Sequence, residues 1–421
     1  MRATLTRWQN TEIVARPGLL FSACVGVICS CIVLPFYTLG IFVIPVTETF
    51  GWSRSEFQLS LLFSTGIGVF TSPVVGWFIH RFGARRVALT GLLGLSIALL
   101  LPALNQGSLS LFYLSYGAMA LLGAGTVPVT WTTAITQVFN QQRGLALGLV
   151  LSGTGLCAVL VTPLIAWTVE QFGWRTGYAV LALLPLGIAG PLVWRYFHPD
   201  RLDSASGEDH RADSHASLHE TQDRGLTLGE AMKGYRFWVL LASIFLVYVV
   251  QSGLVPNLVP ALIDAGVPMS DAATALSSFG AAVIVGRLVI GWLVDRLWAP
   301  GVAAAAIALP VIACFLLLQS LTLSNAMIAS VLLGFAAGAE LDLMAFLAAK
   351  YFGTAHYAKI YGLLYSGLAV ASGIAPSMYA WIYETLGTHE RGFQLGAVAF
   401  SLSAILVLTL GRYPNFQAEE R

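Results

Sequence analysis

Long apolar stretches separated by short polar or glycine-containing turns follow one another along the whole chain. Crossing the hydrocarbon core of a bilayer takes about 20 mostly apolar residues per helix, and twelve stretches of about this length can be read in the sequence. Strands of a lipid-spanning barrel would be shorter and would alternate with polar residues. The pattern therefore predicts an all-α membrane protein with twelve transmembrane helices. These lie near 18–47, 55–79, 85–105, 109–139, 142–169 and 174–196, and near 235–263, 270–294, 299–321, 325–351, 357–385 and 392–412.

The charge composition supports a lipid environment. Hydrophobic residues make up 57% of the 421 residues and charged residues only 10%, against roughly 25% charged in an ordinary soluble protein. The net charge of +1 gives no reason to expect a nucleic-acid partner. All five cysteines fall in apolar stretches, where they act as small hydrophobic residues, so we predict neither a disulfide nor a metal site.

One extended polar segment, residues 198–230, divides the chain. We predict an N-terminal six-helix bundle over residues 1–197, a cytoplasmic linker over 198–230 and a C-terminal six-helix bundle over 231–421. No glycine-rich phosphate loop or catalytic motif is apparent. The sequence therefore predicts neither an enzyme nor an ATP-driven pump, and it implies no cofactor.

The distribution of basic residues predicts the orientation. Of the 22 lysines and arginines, only Arg54, Arg175 and Arg391 lie in predicted outer loops, and Arg287 lies within a span. The other 18 lie in predicted inner segments. Because cytoplasmic loops are enriched in lysine and arginine, we expect both termini in the cytoplasm and the protein in the cytoplasmic, or inner, membrane.

The two halves repeat each other. Residues 51–81 match 266–296 at an offset of 215, and a second stretch matches at an offset of 214. Two nearly equal offsets predict two pseudo-symmetric bundles, as in transporters that rock two halves about a central site. Identical pairs include Gly51/Gly266, Ser55/Ser270, Gly76/Gly291, Trp77/Trp292, Arg81/Arg296, Gly148/Gly362 and Glu170/Glu384.

The segment from Gly76 to Arg86, GWFIHRFGARR, resembles the Gly-x-x-x-Asp-Arg-x-Gly-Arg-Arg loop of the major facilitator superfamily. Its partner in the second half is GWLVDR, from Gly291 to Arg296. The glycines would let two helices approach closely, and the charged turns would bridge neighbouring helix ends on the cytoplasmic side. His80 replaces the aspartate of that loop, which weakens a gating salt bridge and makes it sensitive to pH. The resemblance thus implies gating roles for Gly76, His80, Arg81, Arg85, Gly291, Asp295 and Arg296.

Within that superfamily, the segment from Tyr37 to Phe42, YTLGIF, followed by GWSR at Gly51 to Arg54, resembles monocarboxylate transporters and oxalate:formate antiporters. The resemblance implies a small organic anion as substrate. Val283 stands where animal monocarboxylate transporters have a helix-8 aspartate, and the helix-11 lysine of the oxalate exchangers has no counterpart. Since only one cation lies deep in the membrane, we expect a monoanion rather than a dianion.

Arg287 is that cation. A guanidinium remains charged in proteins, so placing it within a span costs several kcal/mol unless it is paired or faces water. In the resembling families a helix-8 arginine binds the substrate carboxylate, and Arg287 occupies that place. Its planar fork matches a carboxylate. The alternatives are a structural ion pair and an arginine that reaches towards the membrane surface.

Glu340 and Asp342 lie near the middle of helix 10 at a depth similar to that of Arg287. Two residues apart on a helix, they point about 200° away from each other, so we expect one to face the cavity or Arg287 and the other to pack on a neighbouring helix. Protonation of the acid beside Arg287 would free the arginine for the anion, which would couple proton and anion movement. The alternative is a permanent salt bridge between helices 8 and 10.

Four further candidates for substrate binding lie in helices that line the cavity in the resembling superfamily: Tyr37, Asn257, Tyr361 and Tyr365. An aromatic wall with a few hydroxyl groups suits a small organic acid. We therefore predict a proton-coupled symporter of a small monocarboxylate that works by alternating access, with lipid as its surroundings and no obligatory protein partner. The alternatives are an organic anion exchanger, including one for dicarboxylates, and a solute sensor derived from a transporter.

Overall fold

A computed structural model describes residues 16–139, 143–198, 225–353 and 356–414. Almost all of these residues are helical, and no named strand occurs in the described ranges. In the first half the membrane helices are α1 Pro17–Phe50, α2 Ser60–Phe82, α3 Ala84–Leu104, α4 Leu109–Leu122 with Pro128–Val138, α5 Gly144–Phe172 and α6 Trp174–Tyr196.

The second half repeats this order. It contains α7 Tyr235–Asp264, α8 Met269–Val294, α9 Ala299–Gln319, α10 Leu323–Phe352, α11 Tyr357–Leu386 and α12 Glu390–Leu408. Within the described ranges, ten of these twelve helices are long and apolar enough to cross a membrane, and the other two are the 23-residue α2 and the divided α4. The all-α fold predicted from the apolar pattern is confirmed. Most of the predicted linker, residues 199–224, lies outside the described residues.

Because consecutive helices run antiparallel, the protein has two faces. We call the face at which α1 begins and α12 ends the terminal face, and the opposite one the distal face. Gly51 ends α1 and Gly266 lies between α7 and α8, both on the distal face, with φ of 69° and 85°. Positive φ favours glycine, so the chain reversal explains why the repeat places glycine at both positions.

Several membrane helices are interrupted near the middle. Residues Cys29–Ile32 separate the two parts of α1, Pro17–Ile28 and Val33–Phe50. In α10, the parts Leu323–Ala337 and Glu340–Phe352 are separated by Gly338 and Ala339. Such breaks leave backbone carbonyls without a partner in their own helix, and these carbonyls can accept hydrogen bonds from neighbouring side chains.

The two halves pack closely from the middle of the membrane to the distal face. A Cβ atom at Gly155 of α5 would collide with the Gly280 carbonyl of α8, and one at Gly280 would collide with the Gly155 carbonyl. A Cβ at Gly40 of α1 would lie 2.5 Å from the carbonyl oxygen of Pro256 in α7. Small residues allow helix backbones to approach in this way. The distal face is therefore closed.

The terminal half of the same interface is open. A Cβ atom at Gly76, Gly148, Gly291 or Gly362 would meet no atom within 4 Å. In this conformation neither Gly76 nor Gly291 takes part in a close helix contact, and their gating role stays a prediction. These four glycines form two of the identical pairs of the repeat, so the opening follows the pseudo-symmetry.

Candidate functional site

The candidate site begins where α8 crosses α10 in backbone contact. A Cβ atom at Gly286 would collide with the Phe335 carbonyl, and one at Gly338 would collide with the Val283 carbonyl. Because these glycines remove the side chains that would hold the helices apart, Arg287 leaves α8 directly beside the break in α10.

Arg287 is only 9% exposed, although it carries a permanent charge. Its Nε atom donates a hydrogen bond to the carbonyl oxygen of Gly338 at 3.0 Å and lies 3.5 Å from Oδ2 of Asp342. Its buried Nη1 atom has no hydrogen-bond partner within the described ranges. The guanidinium thus retains a donor after its contacts with α10 have been made.

Asp342 and Arg287 both line a cavity of about 610 Å³ in the terminal half of the membrane. The Asp342 side chain is 50% exposed. The cavity lies between α5, α8 and α10, and its wall also includes two predicted gating residues, Gly291 and Asp295. The other lining residues are Gly144, Leu145, Leu147, Gly148, Leu151, Leu288, Ile290, Trp292, Val294, Ala339, Leu343 and Phe346.

Glu340 points away from this cavity. It lines a separate space of about 40 Å³ inside the second bundle, together with Ser243 and Tyr248 of α7 and with apolar residues of α9, α10 and α12. Its Oε1 atom is buried without a hydrogen-bond partner in the part of the chain that the structure describes. The structure therefore separates the two acids, as expected for residues two positions apart on a helix.

Tyr37 of α1 lies near Arg287, although it is not among the residues that line the 610 Å³ cavity. The Tyr37 ring of α1 lies 5.2 Å from the ring of Phe36 and 6.1 Å from that of Phe279 in α8. The charges of Arg287 and Glu340 reach its hydroxyl group. Tyr37 thus lies at the contact between the two halves, close to the predicted anion-binding arginine.

A row of stacked tyrosines continues along α11. The ring centroids of Tyr357 and Tyr361 are 5.4 Å apart, and those of Tyr361 and Tyr365 are 6.4 Å apart, with interplanar angles of 22° and 27°. The charge of Asp342 reaches the Tyr361 hydroxyl. The predicted residues Tyr361 and Tyr365 therefore lie on the same side of α11, with Tyr361 near α10.

Tyr248 of α7 was not predicted from the sequence. Its hydroxyl group lies within electrostatic range of Glu340, Tyr37, Tyr361 and Tyr365. Tyrosines of α1, α7 and α11 therefore lie near one another. A single tyrosine in an apolar span gives no pattern that identifies it. For Tyr357, which was also missed, the four-residue spacing to Tyr361 was an available signal.

Asn257, the remaining predicted binding residue, lies elsewhere. Its amide exchanges hydrogen bonds of 2.7 and 3.0 Å with Gln58 of the other half, and its Nδ2 also donates to the carbonyls of Gly253 and Pro376. Asn257 lies nine residues beyond Tyr248, which is about 13 Å along the helix. The structure places it in the distal closure instead of beside Arg287.

The basic residues of the predicted gating loops contact aromatic rings. Arg81 lies over Trp77 at 5.6 Å and Arg296 over Trp292 at 4.1 Å, two contacts that the repeat makes equivalent. Arg85 donates to the Trp194 carbonyl at 2.5 Å.

The charged bridges expected from these loops are not formed in this conformation. His80, Arg81, Arg85, Asp295 and Arg296 make no ion pair within residues 16–139, 143–198, 225–353 and 356–414. The physical reason is the open terminal face, which separates the helix ends that such bridges would join.

Residues 24–376 match the Major Facilitator Superfamily. The chain belongs to this superfamily. It is 28% identical over 329 residues to "Monocarboxylate transporter 12" of Rattus norvegicus, an alignment that covers 71% of this chain and 66% of that protein. The family resemblance read from the loop motifs is confirmed.

Further relatives agree with this assignment. The chain is 22% identical over 442 residues to "Monocarboxylate transporter 14" of Mus musculus, covering 88% of this chain and 85% of that protein. It is 26% identical over 271 residues to "Uncharacterized MFS-type transporter YcxA" of Bacillus subtilis, covering 61% and 60%. This superfamily member is thus a transmembrane transport protein, distantly related to monocarboxylate transporters.

Proposed function

We propose that this major facilitator protein carries a small organic monocarboxylate across the cytoplasmic membrane together with a proton. One observation carries the proposal: the buried Arg287 keeps an Nη1 donor that has no partner among the described residues, beside a half-exposed carboxylate on the wall of a 610 Å³ cavity. A charged group held within a membrane span in this way generally serves substrate or ion movement.

The substrate carboxylate would bind to Arg287. Charge-assisted hydrogen bonds from a guanidinium are about twice as strong as neutral ones and fit a carboxylate in two-point geometry. Tyr37, Tyr361 and Tyr365, with Tyr248, would surround the remainder of the substrate. Arg287 is the one cation among the described residues that line the cavity, and a carboxylate lies beside it, so the site favours one negative charge over two.

Proton coupling would arise from competition for Arg287. When Asp342 is ionised, it lies 3.5 Å from Nε of Arg287 and neutralises the charge that the anion needs. A proton on Asp342 removes that competition, and the anion then takes its place. Glu340 lies on the other side of α10, beside Tyr248. It would sense through Tyr248 whether the substrate anion is bound.

Alternating access would move the two bundles, residues 1–197 and 231–421, with 198–230 as a cytoplasmic connection. The terminal face would be cytoplasmic, and the present conformation would be open to that side. Gly76, His80, Arg81 and Arg85 of one loop, and Gly291, Asp295 and Arg296 of the other, would close it in the opposite state.

The proposal is tested with purified protein in liposomes, an imposed inward proton gradient and a panel of labelled monocarboxylates and dicarboxylates. We expect gradient-driven uptake of a monocarboxylate, its loss in Arg287→Gln, and loss of the dependence on the gradient in Asp342→Asn. Arg391→Gln, which changes an exposed arginine at the start of α12, is the matched control.

Two results would contradict the proposal. Normal uptake by Arg287→Gln would show that the anion binds elsewhere. Uptake that ignores the proton gradient and requires an opposing anion inside the vesicles would identify an exchanger, in which the contact between Arg287 and Asp342 only joins α8 and α10.

A further inference from the structure

Two glutamates that are equivalent in the sequence repeat each contact a helix of the opposite half on the distal face. Oε1 of Glu384, near the end of α11, accepts a hydrogen bond from the backbone N–H of Ser55 at 3.0 Å, and its Oε2 accepts one from the Ser55 hydroxyl at 2.6 Å. Oε1 of Glu170, near the end of α5, accepts one from the backbone N–H of Ser270 at 2.9 Å.

Each contact joins a glutamate carboxylate to a first-turn backbone N–H of the other half, and Glu384 also accepts a hydrogen bond from the Ser55 hydroxyl. Ser270 is the second residue of α8, and Ser55 is the second residue of the short helix Arg54–Gln58 that leads into α2. Backbone N–H groups in the first turn of a helix have no partner within that helix, and they carry part of its positive dipole charge. A carboxylate satisfies the hydrogen bond and the charge together. Each half thus caps one helix of the other.

We infer that Glu170 and Glu384 form a paired distal gate, a site that determines which face of the protein is open. The inference rests on the alternating access of the proposed function, but it does not depend on the substrate or on protons. In the present conformation both contacts are made and the distal face is closed. Opening that face separates the halves, so both carboxylates must leave their serines.

The position of these contacts in the repeat distinguishes them from other distal contacts. Arg54 forms a double hydrogen bond with Asp264 at 2.6 and 2.9 Å, which raises the pKa of the Arg54 guanidinium above its ordinary value. The repeat places Met269 and Thr49 at the equivalent positions, so this ion pair occurs once. The glutamate contacts occur twice, once on the α2–α11 side and once on the α5–α8 side.

Glu56 provides a matched control. Its Oε2 accepts a hydrogen bond from the backbone N–H of Ser53 at 2.9 Å, and its own N–H donates to the Ser53 hydroxyl at 3.1 Å. The chemistry is similar, a carboxylate and a backbone N–H at a helix N-terminus on the distal face, but both partners belong to one half. Loss of this cap should weaken a helix without moving the halves.

The experiment measures the distance between the halves on the distal face, without substrate. Spin labels are attached to Gln106→Cys, between α3 and α4, and Gln319→Cys, at the end of α9. The background is Cys24→Ser, because the other four cysteines are buried. Distance distributions by pulsed electron resonance are compared for wild type, Glu170→Gln, Glu384→Gln, the double variant and Glu56→Gln.

We expect each single substitution to raise the ratio of the distal-open to the distal-closed population about fivefold, as for loss of one helix cap. The double variant should show roughly the product, because the two contacts join different helix pairs and share no residue. Glu56→Gln should match the wild type. An unchanged distribution in the double variant, or an equal shift in Glu56→Gln, would overturn the inference.

Two aspartate variants keep the inference testable if the double glutamine variant fails to fold. Glu170→Asp and Glu384→Asp keep the charge but shorten the side chain by one methylene group, so the carboxylate no longer reaches the serine. These variants should show the same population shift as the glutamine variants. A wild-type distribution in a folded aspartate variant would equally contradict the paired gate.

Discussion

Asp342 lies 3.5 Å from Nε of Arg287, and the same Nε donates to the carbonyl of Gly338, four residues earlier in α10. The break in α10 therefore holds the arginine while its only ion-pair partner in the described part of the chain stays half exposed to the cavity. This arrangement can release the carboxylate without releasing the arginine, which is what exchange between a protein acid and a substrate anion requires.

Replacement of Arg287 by glutamine should weaken binding of the monocarboxylate by at least 100-fold, because a desolvated charge pair of this kind contributes about 3 kcal/mol or more. Arg287→Lys should restore part of the affinity, since it returns the charge without the planar fork. The measurement is a titration of the purified protein with the substrate identified in the uptake panel. Equal affinities in Arg287→Gln and Arg391→Gln would refute the assignment.

Asp342→Asn should make anion binding independent of pH. In the wild type, lowering the pH protonates Asp342, frees Arg287 and tightens binding, so affinity is lost as the pH rises. The asparagine variant should bind tightly across the whole range but lose accumulation driven by the proton gradient. Glu340→Gln should retain a pH dependence. If the two variants behave in the opposite way, Glu340 is the coupling acid.

Tyr361→Phe should raise the Kd of the substrate about two- to tenfold, as expected for loss of one neutral hydrogen bond of about 0.5–1.5 kcal/mol. The ring contacts with Tyr357 and Tyr365 remain in this variant, so its thermal stability should not change. Tyr413→Phe serves as the comparison, because Tyr413 follows the end of α12 and is not part of the row of stacked tyrosines on α11. An unchanged Kd in Tyr361→Phe would remove its hydroxyl group from the site.

Gly338→Ala should destabilise the protein, because the added methyl group would collide with the Val283 carbonyl where α8 and α10 are in contact. Overpacking of this kind typically costs 1–3 kcal/mol. Gly187→Ala is the control, since a Cβ atom there meets nothing within 4 Å. Thermal melting in detergent measures both variants. Equal melting temperatures of the two variants would show that α8 and α10 can move apart without loss of stability.

Gly291→Leu should fold normally but transport slowly. The leucine side chain fits the open cavity of the present conformation, in which a Cβ at this position meets no atom within 4 Å. It would obstruct closure of the terminal face, so substrate binding from that side should persist while the turnover rate falls. A wild-type turnover rate would mean that Gly291 stays exposed throughout the cycle.

The sequence by itself determined the elements and their depth. Apolar length set the twelve helices, the repeat showed two related halves, and counting along α8 and α10 placed Arg287 and Asp342 at the same level. The superfamily could be read from the loop after α2, because a charged turn between apolar helices is a local feature.

Only the tertiary structure decided which residues meet. A membrane helix that is apolar on all sides carries no amphipathic stripe to show which side faces the cavity. It was therefore impossible to tell from the sequence whether Asp342 or Glu340 faces Arg287, to find Tyr248, or to place Asn257 in the distal closure. The repeat revealed that Glu170 and Glu384 are equivalent, but their contacts with Ser270 and Ser55 depend on how two separate bundles pack together.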